Sequence, residues 1–138
     1  MEKMYLTRRE VFSASHRLWN QELSEVQNFE LYDKCAGQNG HGHNFILEVT
    51  VAGSVKKKSG FAVDFIKLKH LIRTEIVDKV DHKHLNYDVD FLKGTIPTAE
   101  NIVRAFWDVL ESKCGETKLY SIRLHETENN MVEYRGEE

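Results

Sequence analysis

Three histidines stand at positions that favour a metal site. His41 and His43 lie two residues apart at the start of an alternating segment, and His16 ends an earlier segment. Side chains two apart on a strand share a face, so both rings lie on the face of Phe45. If the two segments pair as a hairpin, three imidazoles converge at one end of the sheet. Three neutral histidines leave the fourth position of Zn²⁺ for water or substrate, the pattern of a catalytic site.

Two other interpretations of these residues stay open. A His-x-His pair is commonly a surface pair or a hydrogen-bonded pair. Cys35 lies six residues before His41 and could instead complete a structural zinc site of one cysteine and three histidines. Gly40 and Gly42 suit a zinc site, because bare backbone lets the imidazoles crowd together. The residue types therefore indicate a metal without separating a cysteine ligand from a cysteine catalyst.

A second candidate pair is Asp81 and His82, which follow the first predicted helix. A carboxylate that orients an imidazole and stabilises its cation is the ordinary unit of proton transfer. The alternative is a helix C-cap, where a cationic imidazole interacts favourably with the helix dipole. The sequence pattern alone leaves both roles open.

Glu126 is the most informative carboxylate. It continues the alternation over residues 120–124, so it is expected on the apolar face at the end of a strand. A carboxylate there must be paired or must bind something. An aminopyrimidinone ring offers adjacent N–H donors that a carboxylate can hold with two hydrogen bonds. The alternative is a partly exposed glutamate at a fraying strand end.

The periodicity predicts the elements that position these residues. Alternation indicates four strands, at residues 6–16, 41–51, 119–126 and 131–134. A short apolar run at residues 60–63 could pair with the end of the second strand. Apolar residues at helical spacing predict one helix after Asp64, with Phe65 in its stripe, and another after Thr98. This order favours an α+β fold, an antiparallel sheet with two helices on one face, which leaves the other face uncovered and indicates self-association.

Length and charge exclude several classes of protein. The 138 residues suit a single domain over 1–138. Nineteen Lys and Arg against 22 Asp and Glu give a formal net charge of −3, which argues against a dedicated nucleic-acid binder. No apolar run approaches the roughly 20 residues that span a membrane. Two cysteines and no export signal predict a cytoplasmic protein.

The motifs together resemble the 6-pyruvoyl-tetrahydropterin synthase family. The resemblance runs in register from about residue 5 to residue 136. It rests on six segments: residues 12–18 (FSASHRL), 34–35 (KC), 39–44 (NGHGHN), 81–82 (DH), 97–101 (PTAEN) and 125–130 (HETENN). The bacterial branch of the family includes 6-carboxytetrahydropterin synthase of queuosine biosynthesis.

The resemblance implies a role for nine residues. It assigns zinc to three histidines, catalysis to a thiol and a dyad, and the pterin pocket to three further residues: His16, His41 and His43; Cys35, Asp81 and His82; Glu126, Thr98 and Glu100. It also implies a tunnelling fold, in which the ββααββ unit trimerises into a barrel. Two trimers then stack into a homohexamer with active sites between subunits.

The implied substrate is 7,8-dihydroneopterin triphosphate, and the implied product is 6-pyruvoyl-tetrahydropterin. Zinc would polarise the side-chain hydroxyls, and Cys35, its pKa lowered by neighbouring cations, would abstract a carbon-bound proton. His82, oriented by Asp81, would relay protons. Triphosphate leaves, and an internal redox shift completes the reaction without an external redox cofactor. Lys34 and Arg17 are candidates to contact the triphosphate, because they adjoin the site residues.

Two further functions remain as alternatives. The five residues between Cys35 and His41, and the stretch at residues 20–33, favour the pyruvoyl branch. The segment at residues 97–101 resembles bacterial members, many of which make a 6-carboxy product and acetaldehyde. A zinc-stabilised pterin-binding protein without turnover is the third function, and Cys35, Asp81 and His82 argue against it, since a binder needs none of them.

Overall fold

A five-stranded sheet carries the candidate site. The computed structural model describes residues 2–137; Met1 and Glu138, the two ends of the predicted domain, lie outside the described residues. The strands follow the spatial order β3-β1-β2-β4-β5. Their bounds are β1 Met4–His16, β2 His41–Gly53, β3 Lys83–His84, β4 Lys118–His125 and β5 Met131–Tyr134.

The strands β1 and β2 form a long antiparallel hairpin. Its register places Met4 opposite Gly53 and His16 opposite His41. β4 and β5 continue the antiparallel sheet, whereas the short β3 lies parallel to β1 on the opposite edge. The four predicted strands are therefore confirmed. The prediction of a purely antiparallel sheet is wrong in one respect, because β3 is a parallel edge strand. A two-residue strand is too short to leave a periodic signal.

The proposed pairing of residues 60–63 is wrong within the described chain, where no strand forms at these positions. The Lys56 amide donates to the Phe61 carbonyl at 3.0 Å, and the Gly60 amide donates to the Lys56 carbonyl at 2.8 Å. These bonds fold the segment into a local turn. The exposed lysine run at residues 56–58 belongs to this turn.

Two helices pack on one face of the sheet, as predicted. α2 (Phe65–Ile72) begins at Asp64, whose side chain accepts from the Ile66 and Lys67 amides. α2 continues through a π-helical turn into the single turn α3 (Asp78–Val80). The prediction that Phe65 belongs to the buried stripe of α2 is wrong, because this residue is 48% exposed. α4 (Ala99–Leu110) begins at Thr98, and the whole predicted stripe of α4 is buried: Ile102, Val103, Phe106, Trp107 and Leu110.

A further helix, α1 (Glu25–Tyr32), was not predicted. Ser24 and Gln27 begin it with a capping box, each side chain bonded to the other's backbone amide. Its large apolar residues Val26 and Leu31 are exposed. Because α1 lacks a buried apolar stripe, periodicity could not reveal it.

The other face of the sheet is exposed, as the predicted layer order requires. Tyr5, Val11 and Tyr120 all present large apolar side chains there. The alternation predicts Tyr120 on the apolar face, and this prediction is wrong. At this position the register shifts by one residue, so that Ser121 and Leu119 pair with neighbouring residues of β2. This bulge turns Tyr120 away from the core. No helix among residues 2–137 is long and apolar enough to cross a membrane.

Candidate metal centre and active site

The three histidines converge at one end of the β1–β2 hairpin, as the alternation predicts. One ring nitrogen from each of His16, His41 and His43 lies within 4.8 Å of the other two. The ring centroids are 4.7 to 5.2 Å apart. Within the described residues the cluster contains three histidines and does not include Cys35. The cluster could therefore hold a metal ion with its fourth position open.

The tautomer of His16 suits a metal ligand. Its Nδ1 lies 2.8 Å from the Pro97 carbonyl oxygen, which can only accept, so Nδ1 carries the hydrogen. Nε2 of His16 and Nε2 of His43 are buried without a hydrogen-bond partner among the described residues. A buried nitrogen without a partner is costly, and a metal ion would satisfy both. Metal-binding histidines usually donate their other N–H in this way.

The surroundings of His16 and His43 favour the neutral form of each ring. Burial lowers the pKa of His16, and it outweighs the bond to the Pro97 carbonyl. Burial also lowers the pKa of His43, against the raising effect of the Glu126 carboxylate. A neutral ring keeps the lone pair that a metal needs.

The two predicted glycines differ in their importance. Gly40 has a φ of +69°, and a Cβ there would lie 2.8 Å from the His16 carbonyl oxygen. Gly40 is therefore required where the backbone turns into β2. A Cβ on Gly42 would meet only the Ala14 carbonyl oxygen, at 3.5 Å, which is an ordinary contact. A side chain is therefore excluded at Gly40 by the His16 backbone and the positive φ, rather than by crowded imidazoles, and the crowding argument is wrong for Gly42.

Glu126 lies beside the cluster, and its charge acts on the thiol of Cys35. Glu126 follows the last residue of β4, and its Oε1 is 3.6 Å from Nε2 of His43. Cys35 is a half-buried free thiol. Burial raises the pKa of the Cys35 thiol, and the carboxylates of Glu126 and Asp33 raise it further. The expectation of a pKa lowered by neighbouring cations is therefore wrong for the chain by itself.

The Asp81–His82 dyad lies at the edge of the sheet. Oδ1 of Asp81 accepts from the Ser13 amide at 2.9 Å, and its Oδ2 is 3.0 Å from Nδ1 of His82. His82 has a φ of +60°, and its side chain is 82% exposed. The imidazole is therefore oriented by a carboxylate and open to solvent.

An open groove of about 600 Å³ runs beside the dyad. His43 and His82 both line it, together with Asn44 and His84. Cys35 is not among the lining residues. The groove thus connects one histidine of the cluster with the dyad and leaves the thiol outside.

The remaining predicted residues lie at the start of α4 and after β1. Thr98 uses its side chain to accept from the Asn101 amide at 3.2 Å, and Glu100 is exposed in the first turn. Lys34 is exposed, whereas Arg17 donates from Nε to the Ala36 carbonyl at 2.9 Å. Pattern analysis missed the Pro97 carbonyl, because a backbone acceptor has no residue-type signal.

Comparisons with known proteins find similarity over nearly the whole chain. A 6-pyruvoyl tetrahydrobiopterin synthase of Dictyostelium discoideum is 46% identical over 96% of this chain and 96% of its own length. The solved structure of Caenorhabditis elegans 6-pyruvoyl tetrahydropterin synthase aligns with a TM-score of 0.91 and 36% identity, covering 99% of this chain and 98% of that chain. A 6-carboxy-5,6,7,8-tetrahydropterin synthase of Aquifex aeolicus is 27% identical over 91% of this chain and 94% of its own.

A family-level match spans the same residues as the fold. The sequence model of the 6-pyruvoyl tetrahydropterin synthase family matches residues 5–137. This range includes every strand but the first residue of β1, all the helices and all nine predicted site residues. The chain therefore belongs to the 6-pyruvoyl tetrahydropterin synthase family.

Proposed function

We propose that this protein is a zinc-dependent lyase that converts 7,8-dihydroneopterin triphosphate to 6-pyruvoyl-tetrahydropterin and releases triphosphate. The observation that carries the proposal is the open three-histidine cluster, in which two Nε2 atoms have no hydrogen-bond partner among the described residues, beside Glu126, whose charge acts on the thiol of Cys35. The relatives that bear the pyruvoyl name support the choice of substrate and product.

In this proposal His16, His41 and His43 hold zinc, which when bound supplies Lewis-acid polarisation of a substrate oxygen. Glu126 accepts two hydrogen bonds from the adjacent N–H groups of the pterin ring. Its position 3.6 Å from His43 brings the pterin's side chain within reach of the cluster. By the family pattern, Thr98 and Glu100 complete the pterin pocket.

Cys35 acts as the base that removes a proton from the substrate side chain. In the chain alone, burial and then Glu126 and Asp33 raise the pKa of Cys35. Hydrogen bonds from a bound pterin offset the negative charge of Glu126, so substrate binding itself lowers the pKa of the thiol toward the working range. The base is thus formed when the substrate is present. His82, held by Asp81, relays protons.

The active site is completed between subunits of a homohexamer, a dimer of trimers in which the sheets form a barrel. Two features of the single chain support this proposal. The sheet face with Tyr5, Val11 and Tyr120 is uncovered, and the exposed His82 lines a groove from which Cys35 is absent. A neighbouring copy would bring a second Cys35 to each dyad. We also place the enzyme in the cytoplasm, where its two free cysteines stay reduced.

The 6-carboxy product is the second candidate, favoured by the similarity to the Aquifex aeolicus enzyme. Product identification separates the candidates. The zinc-loaded protein is incubated with 7,8-dihydroneopterin triphosphate without any reductase, and the pterins are analysed by mass spectrometry. We expect triphosphate and a pyruvoyl pterin. A 6-carboxy pterin with acetaldehyde would establish the second candidate, and stoichiometric binding without product would establish a binding protein.

A further inference from the structure

The two residues after His16 are bonded to the turn that carries Cys35. The Leu18 amide donates to the Cys35 carbonyl at 2.8 Å, and Nε of Arg17 donates to the Ala36 carbonyl at 2.9 Å. Both acceptors belong to the short 3₁₀ turn at Asp33–Ala36. These two bonds therefore connect the residues that follow His16 to the turn that carries the Cys35 thiol.

The side chain of Asn86 holds Arg17 in place. Its Oδ1 accepts from the Arg17 amide at 2.8 Å, and its Nδ2 donates to the Arg17 carbonyl at 2.9 Å. One amide side chain thus satisfies both backbone groups of one residue, as a neighbouring strand would. β1 ends at His16, so Asn86 extends the ordered backbone one residue beyond the sheet.

The guanidinium of Arg17 is fixed from a second side. It stacks on the ring of Trp19, with its central carbon 3.9 Å from the ring centroid. Trp19 in turn packs edge-to-face against Phe29 of α1, with centroids 6.1 Å apart. A stacked guanidinium with a directed Nε–H bond has little freedom to reorient. The helix that the pattern missed therefore braces Arg17.

The turn that carries Cys35 needs such support. Asp33, which begins the turn, has a φ of 53°, a conformation that costs a non-glycine residue free energy unless its surroundings enforce it. We propose that Arg17, clamped by Asn86, is a positioning residue that fixes the Cys35 turn relative to His16. The catalytic consequence of this proposal rests on the proposed function. In this proposal Arg17 does not serve as a cation that binds the triphosphate.

The test compares Arg17→Lys, Arg17→Gln and Asn86→Ala in the zinc-loaded enzyme. Lysine keeps the positive charge and loses the directed Nε–H bond. We expect all three variants to keep their metal content, to lose kcat by about tenfold or more, and to keep KM close to that of the parent enzyme. If Arg17 instead binds the triphosphate, Arg17→Lys restores activity or KM rises with kcat unchanged, and the proposal is overturned.

Thiol alkylation gives a readout independent of turnover. Iodoacetamide modification is followed by peptide mapping. Cys114 is the internal reference, because it is far from Cys35 in the sequence and its Sγ donates to the Leu110 carbonyl. We expect Cys35 to be alkylated several-fold faster in the three variants and Cys114 to be unchanged. Unchanged alkylation of Cys35, or equal acceleration of both thiols, would overturn the positioning role.

Arg73→Gln is the matched control. Arg73 also donates through Nε, to Oε1 of Glu10 at 2.7 Å, and among the described residues its side-chain hydrogen bond and ion pair go to Glu10 and not to the Cys35 turn. This variant should lose stability without a change in Cys35 alkylation. If the parent enzyme makes no pterin product, the proposed function fails, while the alkylation ratio between the Arg17 variants and this control still decides the positioning role.

Discussion

The histidine cluster and the Asp81–His82 dyad, both assigned to the proposed active site, are built in two different ways. His16 is fully buried, its tautomer is set by the Pro97 carbonyl, and its partners come from the facing strand. His82 is 82% exposed and has Asp81 as its side-chain partner. All three histidines of the cluster thus come from one chain and are held by its sheet, whereas the dyad is oriented by Asp81 and open to solvent.

This difference between the cluster and the dyad suits the two different roles proposed for them. Metal ligands need fixed distances, which a long paired hairpin supplies. A proton relay needs an oriented ring that stays accessible to a substrate or a second subunit. Changes in the cluster should therefore remove metal and activity together, and changes in the dyad should remove activity alone.

The largest expected effect comes from His43→Ala. Loss of one ligand should abolish stoichiometric zinc and lower turnover by at least about 10³-fold, because the Lewis acid contributes several kcal/mol. Zinc is measured by elemental analysis and turnover by triphosphate release. His70→Ala, on the exposed side of α2, is the matched control and should match the parent enzyme. A stoichiometric zinc content in His43→Ala would contradict the role of the cluster as the metal site.

His82→Ala should have the next largest effect. We expect turnover to fall about 10²-fold, the usual contribution of a general acid or base, with zinc content unchanged. The same two assays apply. Loss of zinc together with turnover would mean that the dyad belongs to the metal centre, contrary to the separation described above.

Mixing variants tests whether the dyad acts on a neighbouring copy. Cys35→Ala and His82→Ala, each nearly inactive, are unfolded together and reassembled at equal concentration. If sites are shared between subunits, about a quarter of them pair an intact thiol with an intact dyad, so activity should return to that fraction. A mixture of Cys35→Ala with His43→Ala, both on the cluster side, should stay inactive. No recovery in the first mixture would place the whole site within one chain.

Glu126→Gln should have a smaller effect. The neutral amide accepts weaker hydrogen bonds from the pterin N–H groups, so affinity should fall about tenfold to a hundredfold, while zinc content is retained. Binding is measured by titration calorimetry with a non-reacting pterin. Unchanged affinity would remove Glu126 from the pterin pocket.

The smallest expected effect is the pH-dependent stability of the dyad. The Ser13 amide lowers the pKa of Asp81, aided by His82, so the carboxylate stabilises the fold above its unfolded pKa, and that stability is lost as pH falls through the folded pKa. Asp81→Asn should therefore cost below about 1 kcal/mol near neutral pH, because the carboxylate is 37% exposed. In urea unfolding the difference should shrink steadily as the pH falls below the usual aspartate pKa. A difference that persists there would have another cause.

The sequence predicted those parts of the fold that periodicity controls. The helices α2 and α4 and the four antiparallel strands follow from apolar spacing, and the helix caps at Asp64 and Thr98 follow from residue type. The convergence of His16 with His41 follows from a hairpin in this register. Local chemistry and strand pairing were enough for these features.

Other features depend on contacts that spacing does not encode. α1 begins at a capping box but buries no apolar stripe, and the bulge at Tyr120 reverses the predicted face of that residue. The raised pKa of Cys35 comes first from burial and then from the Glu126 carboxylate, which is distant in sequence, with a further contribution from the nearby Asp33. Such effects arise from tertiary packing, so a pattern of residue types cannot predict them.

The place of the cluster on the hairpin has a consequence for folding. His16 and His41 form the last pair of the β1–β2 ladder, where residues 17–40 leave the sheet as a long connection. Closing a connection of this length costs chain entropy on the order of 3 kcal/mol. A metal ion held by both strands at this point is a cross-link across the connection, which restrains the chain where its entropy most opposes pairing. Metal loading should therefore favour formation of the hairpin on which the rest of the sheet assembles.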